Sequence, residues 1–519
     1  MTELLPTKAA FGVSEAVEVE VRGLVRTTRV SLWHLERMVD AVVVEPDEPV
    51  ASFGVLPPGG YGVEAADGAR SAADVQERPL DRLRYGFVSD YEPGREVDAV
   101  IDNVRRLHLN AIQFYDWMYR HAELLPPTDE FEDALGRRVS LDTVRRLVGG
   151  IRGAGASALG YAAVYAVGRE QREAWADAAL FRGDGSPWML ADFLWIVDPS
   201  NPRWLGHLTG ELVSASAIFD GFHLDQYGAP KRALRADGTT VDLAEALPAL
   251  IERVRSALPD ATLMLNNVND FPTWSTAGAP QDALYIEVWP PHERLDHLGW
   301  LAAKAHALAP EKPVSLAAYL SSYARDDVTA LEAMRLELAT VFSHGATCLL
   351  HGEADAILVD PYYVRHERMD EVGVGAARDL YDFAVRYGEL LFGAVDVTRT
   401  QLGGVNTEVR VAGPAPVATD CLPGAVWARV LDVGRRVVVS LIDLTLQADV
   451  RWDAPKVPAR RVDGVTVSFE RATSQPPRIF AASPDAPSAR QLESSLVDGH
   501  DVVQVPGWST WGLVWADSS

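Results

Sequence analysis

Cysteine is almost missing from this chain of 519 residues: only Cys348 and Cys421 occur. Two thiols cannot build a disulfide framework, and they are too few for a Cys-rich zinc site. Cys348, inside the apolar run ATCLL, reads as a small core residue. Long apolar runs are lacking too; no stretch approaches the ~18–20 residues a membrane-crossing helix needs. The opening, MTELLPTKAAFGVSEAVEVE, has neither a basic n-region nor an apolar h-region, so no secretory leader is expected and the chain reads as cytoplasmic. Positive charge is scarce, with 48 Lys and Arg against 73 Asp and Glu and a net charge of −25. That field repels the phosphates of nucleic acids and anionic membranes, and both are excluded as partners. A neutral ligand such as a sugar is indifferent to it. No G-x-G-x-x-G follows a strand, no Gly-rich loop carries the Lys and Ser/Thr of a phosphate cradle, and G-x-S-x-G is absent. The histidines are scattered, so neither a cofactor nor a catalytic metal is expected.

What is present is a normal globular composition, 48% hydrophobic, long enough for about three domains. Residues 1–82 read as a small β-sandwich: AVEVEVRG alternates, and TTRVSLW and DAVVVEP follow between Gly/Pro turns. Residues 83–390 change pattern. Eight short apolar runs are expected as strands, at 84–90, 110–117, 158–167, 218–226, 261–267, 283–289, 312–320 and 346–353. Helical segments alternate with them; in REVDAVIDNVRRL, for example, Val97, Val100, Ile101, Val104 and Leu107 share one face. Near-continuous apolar strands alternating with helices imply a parallel sheet covered on both faces, and eight of them a closed (β/α)8 barrel. Residues 391–519 return to β, with VWARVLDVGRRVVVSLIDLT, GVTVSFERA and GLVWADSS, and are expected to form a second, antiparallel sandwich.

In a (β/α)8 barrel the chemistry sits at the C-terminal ends of the strands. Polar and aromatic residues gather there: Gln113, Tyr115, Asp116 and Trp117; His223, Asp225, Gln226 and Tyr227; Asn266 and Asn267; Glu287 and Trp289; His351, Glu353 and Asp355. Strand alternation puts His223 and Asp225 on one face, and Tyr285, Glu287 and Trp289 on another such face. A lone Asp or Glu at a strand end is more often a turn or capping residue than a catalyst. Two carboxylates, Asp225 and Glu287, among aromatics and amides are the minimum equipment for cleaving a glycosidic bond. Trp117 and Trp289 fit either a core or a platform for the apolar face of a sugar ring. His223 fits either a satisfied core histidine or a hydrogen-bonding group beside Asp225, and His121 is equally open.

The segments RYGFVSDY, LHLNAIQFYDWMYRHAELLPP, DGFHLDQYG, YIEVWP and GEADAILVDPYYVRHERM resemble glycoside hydrolase family 66, in order, over about residues 84–390. That family contains endo-dextranases, cycloisomaltooligosaccharide glucanotransferases and hydrolases of cyclic isomaltooligosaccharides. The resemblance implies an N-terminal immunoglobulin-like sandwich, the barrel and a C-terminal antiparallel β domain. It also implies retaining cleavage of α-1,6-glucosidic bonds, with Asp225 of HLDQYG as nucleophile and Glu287 of YIEVW as general acid/base. Tyr115, Asp116, Trp117, His223, Gln226, Asn267, Trp289 and Asp355 are its implied sugar contacts.

Two departures narrow the expectation. Relatives acting on dextran are usually exported, and cyclising relatives carry a binding module inserted late in the barrel, for which the single helix between the seventh and eighth strands leaves no room. A hydrolase of short linear or cyclic isomaltooligosaccharides is therefore expected. Endo-dextranase or transglycosylase action, and a carbohydrate-binding protein on a retired barrel, are the alternatives. A further one makes the two β domains the working parts, docking a partner protein with the barrel as scaffold.

Overall fold

The computed structural model describes residues 2–399, 408–471 and 473–517. Its centre is a sheet of eight parallel strands in sequential order. They are β1 (Tyr85–Val88), β2 (Ala111–Phe114), β3 (Ser157–Ala163), β4 (Gly221–Asp225), β5 (Thr262–Asn266), β6 (Ala283–Glu287), β7 (Val314–Ala317) and β8 (Thr347–Cys348). The sheet curls into a nearly closed barrel. Just past β8 the backbone comes against β1 so tightly that a Cβ on Gly352 would lie 2.1 Å from the Phe87 carbonyl oxygen.

Alternation sorts each strand's residues into two layers. Tyr85, Phe87, Leu159, Met264, Tyr285, Ala317 and Leu349 fill the interior. Ile112, Phe114, Leu224, Leu263, Leu284 and Ile286 face the helices. Those helices are α1 (Asp98–Arg106), α2 (Leu141–Gly153), α3 (Pro202–Ala215), α4 (Leu243–Ala257), the single turn α5 (Thr273–Thr276), α6 (Leu295–Leu308), α7 (Asp327–Ser343) and α8 (Glu371–Arg386). Several start where a short polar side chain accepts from free backbone N–H groups: Ser140, Asn201, Asp242, Asp326 and Asp370.

Two expected strands are corrected. The run 158–167 does not stay in the barrel; after β3 the chain turns out, and Ala166–Gly168 pairs with Leu194–Ile196 in a small antiparallel sheet. The run 346–353 likewise splits, with His351–Gly352 leaving β8 to pair with Ala354–Ile357. The first run is apolar throughout, so composition does not mark where its pairing partner changes; in the second the change falls at His351.

Before the barrel, a three-stranded and a five-stranded sheet enclose a core of Val17, Val19, Val30, Leu32, Val63 and Val75. After it, a seven-stranded and a four-stranded sheet enclose Val426, Val439, Val467, Val503 and Val514. The expected strand GLVWADSS is described as Trp511–Asp517, and its last two residues lie outside the described residues. Trp511 and Trp515 on this strand pack edgewise or tilted on Phe383 and Tyr387, joining the last domain to α8 and the segment after it.

Candidate active site

A cavity of about 350 Å³ opens at the C-terminal ends of the barrel strands. Asp225, the last residue of β4, and Glu287, the last of β6, both reach into it. Between them stands Asn266, the last residue of β5. Its Nδ2 donates to Asp225 Oδ1 at 2.8 Å and to Glu287 Oε2 at 2.9 Å. Only the NH2 side of an amide satisfies two carboxylates, so the orientation of Asn266 is dictated by its neighbours. Each carboxyl has a second donor on the next strand outward. Tyr161 of β3 gives Asp225 Oδ2 a 2.7 Å bond, and Tyr319, just past β7, gives Glu287 Oε1 a 2.9 Å bond.

Both carboxyls are more than nine-tenths buried. Burial, then the nearby Glu287 charge, pushes Asp225 up to about 7 against hydrogen bonds from Tyr161, Asn266 and the Gln226 amide. Burial also raises Glu287, opposed by hydrogen bonds from Asn266, Tyr319 and Trp289. Two buried carboxyls sharing one donor resist carrying two charges, so the pair retains a proton up to near neutral pH.

The expected contacts divide into two sets. Tyr115, His223, Gln226 and Trp289 line the cavity. Tyr115 stacks on Tyr363 with ring centres 4.3 Å apart. His223 is buried, which lowers it to about 3 and keeps it neutral, and its Nδ1 lies 3.1 Å from the Tyr85 hydroxyl. Gln226 spends its amide on the protein: Nε2 donates to the Asn266 and Phe271 carbonyls, and Oε1 accepts from Tyr165 and the Gly228 amide. It holds the ends of β4 and β5 together. Asp116 is buried but not part of the cavity lining; it sits in the left-handed region at φ 48°, with Arg137 3.7 Å away and burial raising its carboxyl to about 7.

Three further expected contacts lie outside the cavity lining. Trp117 is fully buried among the helix-facing residues, against Phe219 with ring centres 4.5 Å apart, and its indole donates to the Tyr161 carbonyl. Asn267 is fully buried on the opposite pleat from Asn266, bonded to Thr276 and to the Leu265 and Tyr285 carbonyls. Asp355 is exposed on the hairpin after β8, outside the cavity lining. Glu353 beside it is a staple, accepting from the Ser89 amide and from Arg95.

Tyr161, Tyr319 and Tyr363 are residues that the sequence reading misses, and it notes Asn266 at its strand end without its part as the shared donor. Alternation would have found three of them. Asn266 shares a pleat with Met264, Tyr161 with Leu159, and Tyr319 with Ala317, all interior residues. Tyr363 comes from the DPYYV loop and reaches Tyr285 and Tyr319 through their hydroxyls at 3.2 and 3.4 Å.

Comparisons with known proteins agree on the scaffold. The chain is 25% identical over 393 residues to a cycloisomaltooligosaccharide glucanotransferase of Niallia circulans, covering 64% of this chain and 39% of that protein. A second such enzyme of the same organism matches at 25% over 286 residues, 48% of this chain and 29% of that one. The chain thus spans well under half the length of these relatives. The crystal structure of a Paenibacillus cycloisomaltooligosaccharide glucanotransferase complexed with cycloisomaltoheptaose superposes with a TM-score of 0.86, over 99% of this chain and 100% of that one, at 17% identity. An α-L-fucosidase of Paenibacillus thiaminolyticus shares the fold more loosely, with a TM-score of 0.55 at 11% identity, over 84% of this chain and 100% of that one. The family model described as glycosyl hydrolase family 66 matches residues 26–514, and the chain belongs to that family.

Proposed function

We propose that this protein hydrolyses α-1,6-glucosidic bonds of short or cyclic isomaltooligosaccharides with retention of configuration, through a covalent glycosyl-enzyme on Asp225. The observation that carries this reading is the Asn266 amide joining Asp225 to Glu287. Two bonds of 2.8 and 2.9 Å from one planar nitrogen leave the receiving oxygens roughly 5 Å apart. Retaining enzymes keep their carboxyl groups about 5–5.5 Å apart, whereas inverting enzymes need room for a water between them.

The steps follow from the donors. Tyr161 and Asn266 occupy one oxygen each of Asp225 and favour its ionised form, aimed into the cavity. In the reacting form the pair's proton lies on Glu287, which delivers it to the glycosidic oxygen as the bond to the anomeric carbon breaks. Asp225 forms an ester with that carbon. Glu287, now ionised, takes a proton from water, and the water displaces Asp225. Tyr115, Trp289 and Tyr363 give the cavity an aromatic lining for the apolar side of the sugars. The α-1,6-glucan class is supported by relatives named cycloisomaltooligosaccharide glucanotransferases and by the cyclic oligosaccharide held by one structural neighbour.

The same names favour a second reading, in which a sugar hydroxyl replaces water as acceptor and the protein is a glucanotransferase. One assay separates them. The protein is incubated with dextran, with linear and with cyclic isomaltooligosaccharides, and the first product's anomeric form is read by NMR, with Asp225→Asn as control. Opened rings or shortened chains of retained configuration support hydrolysis, and lengthened or cyclised products support transfer. Full turnover in Asp225→Asn overturns both.

A further inference from the structure

Of the 14 tryptophans, eight are buried and four half-buried, and two are exposed. Trp274 on α5 is 55% exposed and Trp300 on α6 is 51% exposed. They are the only aromatic side chains among the exposed large hydrophobics of the described residues. They are neighbours: the Lys304 ammonium lies 6.0 Å from the Trp274 ring centre and 5.2 Å from that of Trp300. Lys304 is itself held by an ion pair with Asp270. His292 stacks on Trp300 at 5.7 Å with a 21° tilt, and buried Phe271 supports Trp274 edge-on at 5.6 Å. Two indoles with fixed backing and a charged pair between them make a rigid surface row of flat apolar faces and hydrogen-bonding groups.

The chain links the row to the cavity wall. Val268 and Trp289 line the cavity wall. Asn269, next to Val268, accepts from the Trp289 amide and donates to the Pro290 carbonyl, tying the end of β5 to the loop after β6. Asp270 follows immediately and meets Lys304 outside that tie.

We infer that Trp274 and Trp300 form an outer binding platform for the extended part of an α-1,6-glucan whose reacting bond lies in the cavity. The inference rests on the proposed function for the ligand class. Indole faces stack on the apolar faces of glucosyl rings, and Lys304 and Asp270 supply a donor and an acceptor for hydroxyls at the ring edge. A neutral glucan suits an exposed site whose own charges are already paired.

The test is electrophoresis through gels containing dextran, with Asp225→Asn as the binding-competent background, together with dextran and short-oligosaccharide kinetics of the otherwise native enzyme. Trp274→Ala/Trp300→Ala is expected to abolish most of the retardation and to raise the KM for dextran about tenfold. Its kcat on short isomaltooligosaccharides stays unchanged, since neither residue touches the cavity. Trp274→Phe/Trp300→Phe keeps a flat ring at each position and recovers part of the retardation. Wild-type retardation and wild-type dextran KM in the alanine variant, with the parent cleaving α-1,6-glucans, overturn the platform alone. A parent that cleaves no α-1,6-glucan overturns the functional reading instead. Loss of a dimer in the alanine variant, seen by light scattering, overturns the platform by making the row an interface between copies of the chain.

Discussion

Tyr319 and Glu287, carried at the ends of neighbouring strands, are joined by a 2.9 Å hydrogen bond from phenol to carboxyl Oε1. The bond favours the ionised carboxylate and so opposes the burial that raises Glu287. Tyr319→Phe removes the donor and raises Glu287 further. If Glu287 is the acid, the high-pH limb of the kcat/KM profile moves up by about one pH unit. The low-pH limb stays in place. A profile from pH 5 to 10 on a linear isomaltooligosaccharide checks this.

Asn266→Ala removes a donor from both carboxyls at once. Each loses its fixed orientation, and displacements of about 1 Å at a reacting group cost roughly 10²-fold in rate. A kcat loss of that size with little change in KM is expected. Asn266→Asp places a third acidic group against the pair and is expected to lose more, with partial recovery as pH falls.

Asp225 ties the site to stability. Its folded-state value, about 7, lies above its ordinary value of 3.8. The native state therefore binds the proton more tightly than the unfolded chain between about pH 4 and pH 7, and stability falls as pH rises through that window. Asp225→Asn removes the penalty. The variant is expected to be more stable than the parent by about 1–3 kcal/mol at pH 8 and equal to it at pH 4. Thermal unfolding at both pH values measures the difference, and the same variant has lost turnover.

Tyr115 and Trp117 sit two residues apart and do opposite jobs. Tyr115 faces the cavity and stacks on Tyr363. Tyr115→Ala is expected to raise KM several-fold with little loss of stability. Trp117 is core, and Trp117→Ala costs about 3–5 kcal/mol. Kinetics of Trp117→Phe, which keeps most of the volume, are expected to match the parent. A raised KM there without lost stability would return Trp117 to the sugar site.

Much of this was legible in the chain. Each of the eight apolar runs contributes a barrel strand, because a strand covered on both faces is predominantly apolar. Asp225 and Glu287 each end such a run, and a carboxyl there can only be at the mouth. The differences fall where linear order stops predicting direction. Trp117 lies beyond the end of β2, where the chain has turned and the pleat no longer says which way a side chain points, while Asn267 directly follows Asn266 and so takes the outward pleat. Asp355 belongs to a hairpin that the continuous run 346–353 concealed.

By itself the sequence determined the barrel, its two flanking β regions and the two acidic residues, because hydrophobic period and strand-end composition are local properties of the chain. Tertiary structure alone decided that one amide on β5 would clasp carboxyls from β4 and β6, that tyrosines from β3 and beyond β7 would hold their far sides, and that Trp274 and Trp300 would stand exposed together. Those relations depend on which strands and helices become neighbours when the sheet closes. They join residues between 21 and 64 positions apart, and no short window of sequence contains them.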